Sequence, residues 1–243
     1  MRIKTAITYR LLYQAQSLAI FFAFYLLFGV LFPLIGIFMA NSTEVIQSDA
    51  LFPSLIYMFI LAFIGNNTDF KLFIQNGFSR KTIFIINLIS NMILAFIYSG
   101  ILCLLVKFLD QTVRPDFRLS LTLINQYTND GFFLNWFVLF VLLMLASSLG
   151  FLAGIFNDRF TGLKKLIFLV LLLIIPVVLA MGIQLGGEVA RAYFFHFIQR
   201  IIGYSTNGLA IAPLVTTLTV LVLVNSGLAY LLNHHREIKR VNA

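Results

Sequence analysis

The residues with the widest chemistry here are three histidines and one cysteine, and their spacing offers little of it. His196 stands alone, His234 and His235 are adjacent in a basic segment, and Cys103 lies inside an apolar stretch. A zinc hydrolase needs two histidines one helical turn apart with a glutamate between them, as in H-E-x-x-H, and no such string occurs. Two neighbouring histidines beside basic residues make a poor metal site. A single cysteine forms no intrachain disulfide and is expected to be a packed or lipid-facing thiol. The sequence has no G-x-x-x-x-G-K-[ST] loop to cradle nucleotide phosphates and no G-x-S-x-G nucleophile turn. Its apolar stretches carry almost no ionisable groups, which opposes an intramembrane protease or a proton relay. The chain is therefore expected not to be an enzyme, with no catalytic and no metal-binding residues.

Two polar segments hold most of the remaining information. In residues 69–82, Phe70, Phe73 and Ile74 share a helical face, Asn76–Gly77 is a helix stop, and Ser79 is placed to cap the next helix. Arg80 and Lys81 then fall in that helix's first turn, where the macrodipole disfavours cations, a cost that lipid phosphates or an acidic partner could offset. The segment reads as a short helix, a turn and a new span. It also reads as an ordinary basic loop. In residues 186–203, Glu188, Arg191, His196, Gln199 and Arg200 alternate with Tyr193, Phe194, Phe195, Phe197 and Ile198, the pattern of an amphipathic helix at or dipping into an interface. Glu188 and Arg191 form an i, i+3 pair.

The elements that carry these segments follow from composition. Hydrophobic residues make up 60% of the 243 and charged residues 11%. A bilayer takes about 20 apolar residues per helical span, and six such runs are present, at about 18–39, 51–65, 83–106, 132–156, 166–185 and 209–232. The expected fold is all-α: a polytopic membrane protein with one transmembrane domain over residues 1–243. The first run is too long for a signal-peptide core and is read as a retained span. Before it, Ile3, Ile7 and Leu11 share a face, so residues 1–16 read as an interfacial helix or as a cytosolic extension of the first span. Pro33 is an expected kink, and Ala146, Gly150 and Gly154 form a stripe permitting close helix contact. Residues 107–131 read as a solvated cap.

The net charge of +8 could suggest nucleic acid, but the charges flank the spans, as juxtamembrane charge does. No nucleic-acid partner is expected; the bilayer is. With six spans, twelve basic residues fall on the side of both termini and five on the other, so the positive-inside rule puts both termini in the cytoplasm.

The string Asn76-Gly77-Phe78-Ser79-Arg80-Lys81-Thr82-Ile83-Phe84 resembles the N-G-x-S-R-K-x-x-F stretch of small bacterial ABC-2 type transporter permeases. The layout resembles that family too, with an interfacial N-terminal helix, six spans and no nucleotide-binding domain. The resemblance implies a bacterial cell-membrane protein whose 69–82 link is a cytosolic coupling segment seated on a separate ATPase subunit. Phe70, Lys71, Phe73, Ile74, Gly77, Phe78, Ser79, Arg80 and Lys81 are then its coupling residues, with the three phenylalanines as exposed apolar anchors. It implies a permease dimer, homo- or heteromeric, on an ATPase dimer that holds ATP and Mg. It also implies that residues 186–208 form an extracellular re-entrant gate, with Glu188, Arg191, Phe194, Phe195, His196 and Arg200, although a plain interfacial helix fits the same residues. Few charges in the spans point to apolar or amphiphilic cargo (a peptide, lipid or hydrophobic drug), with export as the family's usual direction. The alternative is the substrate-capturing membrane subunit of a vitamin importer, which needs no coupling segment but needs a small-residue face for a scaffold, a use open to the Ala146, Gly150 and Gly154 stripe.

Overall fold

Apolar runs of this length satisfy their backbone polar groups by closing into helices, and a computed structural model shows them doing so. It describes residues 2–40, 45–112, 117–128, 131–160, 162–205 and 208–234. Glu44, Arg114, Pro115, Asp116, Asp130, His235, Arg236, Lys239 and Arg240 lie outside the described residues. The helices are α1 (Arg2–Tyr25), α2 (Phe32–Ala40), α3 (Leu51–Gln75), α4 (Arg80–Thr112), α5 (Thr122–Thr128), α6 (Phe132–Arg159), α7 (Leu163–Leu185), α8 (Gly187–Ile202) and α9 (Ile211–His234). Among the described residues, six stretches are long and apolar enough to cross a membrane: Ile3–Met39, Leu51–Gln75, Arg80–Leu109, Phe132–Arg159, Leu163–Leu185 and Ile211–His234. This architecture is compatible with an all-α polytopic membrane protein.

Residues 1–16 are continuous with the first span, the second of the two expected forms, because α1 runs unbroken through them. A π-helical stretch, Leu26–Leu31, then joins α1 to α2. Pro33 explains its position: the proline ring has no N–H to donate and clashes with the carbonyl of the preceding turn, and a wider turn absorbs both. One boundary differs from expectation: α3 runs without a break to Gln75, so residues 69–75 are the last two turns of a span rather than a separate short helix.

The core is built around α6. Leu139, Leu143 and Ala146 pack with Met58 of α3, Tyr98 and Leu102 of α4, and Leu18 and Tyr25 of α1. The closest pairing, α3 with α6, depends on the expected small-residue stripe. A Cβ on Gly150 would stand 2.1 Å from the Phe59 carbonyl oxygen, and one on Gly154 would stand 2.9 Å from that of Phe63. The stripe is thus occupied within the chain. In contrast, α7 and α8 have no buried residue. α7 is held near α6 by Phe168, whose ring lies 4.4 Å from that of Phe156, and by a hydrogen bond from Lys165 to Asn157.

Helix ends gather at two levels. Ala6 of α1 packs with Phe73 of α3 and Ile83 of α4, while the Arg80 guanidinium donates to the His234 carbonyl at 2.9 Å. The α1 start, the α3–α4 turn and the α9 end therefore share one end of the bundle, along with the α6 end, where Arg159 lies 3.5 Å from the Leu232 carbonyl. It carries Lys4, Lys71, Arg80, Lys81, Arg159, Lys164 and Lys165, and is called the basic end below.

The opposite end is more ordered than a solvated cap. Strand β1 (Ile46–Asp49) pairs in parallel with β2 (Phe117–Ser120), with Ile46 opposite Phe117 and Ser48 opposite Leu119. Phe117, Leu119, Leu121 and Ile124 are buried beneath it. Asp49 locks this cap: its carboxylate accepts from the backbone N–H of Phe52 at 3.1 Å and of Thr122 at 3.3 Å. One anion thereby serves the starts of both α3 and α5, where the helix dipoles favour it. Beyond α8, a short hairpin of β3 (Tyr204–Ser205) and β4 (Gly208–Leu209) leads into α9.

Candidate functional site

The α3–α4 turn is assembled from local sequence. α3 ends in a Schellman arrangement: Phe78 N–H donates to the Phe73 carbonyl at 3.0 Å and Gly77 N–H to that of Ile74 at 2.9 Å. Gly77 takes φ +78°, a left-handed conformation that glycine adopts without a Cβ clash. Phe73 and Phe78 supply the accompanying apolar contact, with ring centroids 5.7 Å apart. The Asn76 side chain donates to the Leu72 carbonyl at 2.8 Å. The next helix begins at once, and Ser79 Oγ accepts from the Thr82 N–H at 3.2 Å as its cap.

Residues 70 to 81 divide into a buried and an exposed set. Phe70 and Phe73, expected as exposed anchors, are only 2% and 3% exposed and pack with Ala6, Ile83 and Ile86. Their shared face was legible, but the start of α1 covers it. Ile74 and Phe78 lie partly buried against the same cluster. Lys71, Gly77, Ser79, Arg80 and Lys81 are exposed. Arg80 offsets its unfavourable place at the α4 start by reaching the α9 C-terminus, where the dipole favours a cation. Asn233 completes that contact by donating to the Arg80 carbonyl at 3.2 Å. Between α1 and the turn runs a groove of about 640 Å³, lined by Ala6, Tyr9, Leu72, Phe73, Asn76 and Phe78 with Thr5 at its edge.

Behind the turn lies a polar cluster that sequence reasoning missed. Arg10, which falls in the 1–16 stretch that reads as an interfacial helix or an extension of the first span, is 1% exposed inside the bundle. Its Nη1 lies 3.2 Å from Asp69 Oδ2, a buried ion pair. Its Nη2 donates to Asn91 Oδ1 at 3.1 Å, and Gln14 Nε2 donates to the same oxygen at 3.1 Å. Asn66, Asn87 and Ser90 are also buried. A signal was present. Arg10, Gln14 and Ser17 recur at i, i+4 and i+7, Asn66 and Asp69 at i and i+3, and Asn87, Ser90 and Asn91 at i, i+3 and i+4. Each set is a polar stripe on an apolar helix, and such stripes face one another inside a bundle.

The residues expected to form a gate share one helix. Glu188, Arg191, Phe194, Phe195, His196 and Arg200 all lie exposed on α8. Glu188 in the first turn and Arg200 in the last both suit the helix dipole, and no ion pair joins Glu188 to Arg191. His196, Arg200, Tyr204 and Pro213 do line a cavity of about 350 Å³ where α8 turns into α9. Among the described residues, no group of three or more His, Cys, Asp or Glu is placed to hold a metal ion.

Comparison with known proteins adds no relative to this picture: no family model, no curated protein and no solved structure matches the chain.

Proposed function

We propose that the chain is the membrane-spanning permease subunit of an ATP-driven exporter, with the basic end in the cytoplasm of a bacterial cell and the α3–α4 turn coupled to a separate ATPase subunit. One observation carries this reading. The nine residues Asn76–Phe84 that resemble the ABC-2 permease stretch occupy a tight, capped turn at the basic end, beside an apolar groove and three exposed cations. An ATP-driven permease whose own sequence carries no nucleotide-binding loop receives that work through a contact with the ATPase. This turn is rigidly tied to α1 through Phe70 and Phe73 and to α9 through Arg80. In this reading Lys71, Phe78 and Lys81 meet the ATPase, and Phe70, Phe73 and Ile74 transmit its movement into the bundle. ATP and Mg belong to the partner. A second permease chain covers α7, none of whose 23 residues is buried within this one. Apolar or amphiphilic cargo suits the uncharged outer faces of the spans. The vitamin-capture reading loses its scaffold surface, because Gly150 and Gly154 already pack on α3.

The test is co-purification from native membranes with tagged chain, comparing wild type with a Lys71→Glu, Lys81→Glu variant. Both side chains are exposed, so expression is expected to stay equal. Retention of an ATPase by wild type and its loss from the variant support the reading. Absence of any ATPase from a stable wild-type preparation refutes it.

A further inference from the structure

At the end opposite the basic one, the β1–β2 cap, the last turns of α4 and the start of α6 enclose a cavity of about 370 Å³. That volume lies within the ~300–1,000 Å³ usual for small-molecule sites. Its walls differ in character. Lys107 and Arg118 line it with the amides of Gln47, Asn125 and Asn135, while Cys103, Val106, Leu121 and Phe132 form an apolar side. Among the described residues no lining group is acidic, and neither cation forms an ion pair. Lys107 lies 5.6 Å from the Phe132 ring centroid, which holds its ammonium by a cation–π contact. Lys107 also stands two residues before the close of the apolar stretch Arg80–Leu109, the level at which a bilayer's headgroups begin. Cations here run against the charge bias that concentrates basic residues at the other end, so they call for a local reason.

We propose that this cavity binds a phosphate-bearing amphiphile, its head on Lys107 and Arg118 and its apolar part against Cys103, Val106 and Leu121. A guanidinium and an ammonium that line one cavity make it attractive to an anion, and phosphate offers oxygens to both. The three amides supply further donors around the head, and the apolar side points to an acyl chain rather than a free anion. This inference is independent of the ATPase reading, since binding is assayed with no ATPase present.

The experiment measures saturable binding to the purified full chain in neutral detergent, by thermal shift and native mass spectrometry. The probes are short-chain phosphatidylglycerol, short-chain phosphatidylcholine and glycerol phosphate. Phosphatidylglycerol is expected to bind tightest, with affinity falling about tenfold in Lys107→Gln and again in Arg118→Gln. Both side chains are exposed, so these variants keep the fold. A Lys4→Gln, Lys164→Gln variant at the basic end is expected to bind as wild type does. The proposal is overturned if the two cavity variants bind phosphatidylglycerol unchanged, if the basic-end variant loses as much, or if phosphatidylcholine binds equally well. Equal binding of glycerol phosphate overturns it too, by showing a simple anion site.

Discussion

Removing the Asp69 charge while leaving Arg10 in place is the sharpest perturbation the bundle offers. Arg10 is 1% exposed and holds one carboxylate and one amide oxygen, so Asp69→Asn leaves a buried guanidinium with only Asn91 to meet it. Breaking a buried pair from one side costs about 3–5 kcal/mol. The remaining Asn91 bond puts the expected loss near the lower figure, about 3 kcal/mol, or roughly a hundredfold in the folded ratio. The reverse change, Arg10→Met, should cost less. A stranded carboxylate can neutralise itself by taking a proton, which a guanidinium cannot do, and the Asp69 side chain is 12% exposed against 1% for Arg10. The double variant Arg10→Met, Asp69→Asn removes both charges at once, and should lose much less than the two single losses added. The assay is a double-mutant cycle read from denaturant unfolding of the purified protein in micelles. A coupling energy of about 2 kcal/mol is expected. Additivity within about 0.5 kcal/mol, or an Asp69→Asn variant as stable as wild type, refutes the claim that this pair fixes α1 inside the bundle.

Three further substitutions probe the glycines of the bundle and its turn. Gly150→Ala drives a Cβ to 2.1 Å from the Phe59 carbonyl oxygen, so α3 and α6 must part; a loss of about 1–3 kcal/mol is expected in the same unfolding assay, and a smaller one for Gly154→Ala, where the gap is 2.9 Å. Gly77→Ala meets open space but keeps φ +78°, so its expected cost of about 1 kcal/mol comes from the backbone alone and should appear as faster amide exchange at Phe78 and Gly77.

Local signals in the sequence were read at the right scale, and long-range ones were not. Run length located the spans, Asn76–Gly77 and Ser79 marked a helix stop and a cap, and the spacing of Ala146, Gly150 and Gly154 marked a close approach. Each depends on residues within two turns of one another. The exposure of Phe70 and Phe73 was misjudged because Ala6, more than sixty residues away, covers them. Arg10 was misjudged for a related reason. A lone arginine near an apolar helix usually reaches for water, and only the matching stripes on α3 and α4 reveal a polar interior. The parallel pairing of Ile46–Asp49 with Phe117–Ser120 joins segments separated by two spans and leaves no periodic trace in strands of four residues.

The distribution of buried polar groups bears on which part of the bundle can move. Among the described residues, α1, α3, α4 and α6 supply nearly all of them, including Arg10, Asp69, Asn91 and Ser147, while α7 and α8 supply none. Hydrogen bonds inside a bundle have no water to replace them when helices separate, so the four polar helices resist rearrangement. An apolar helix trades protein contacts for lipid contacts at little cost, because acyl chains are as apolar as leucine. α7 is tethered by the Phe168 stack and Lys165, and α8 touches α9 through a 3.4 Å bond from Thr217 to the Ile201 carbonyl. Movement delivered at the α3–α4 turn would therefore carry α1, α3, α4 and α6 as one body and be taken up where α7 and α8 meet it.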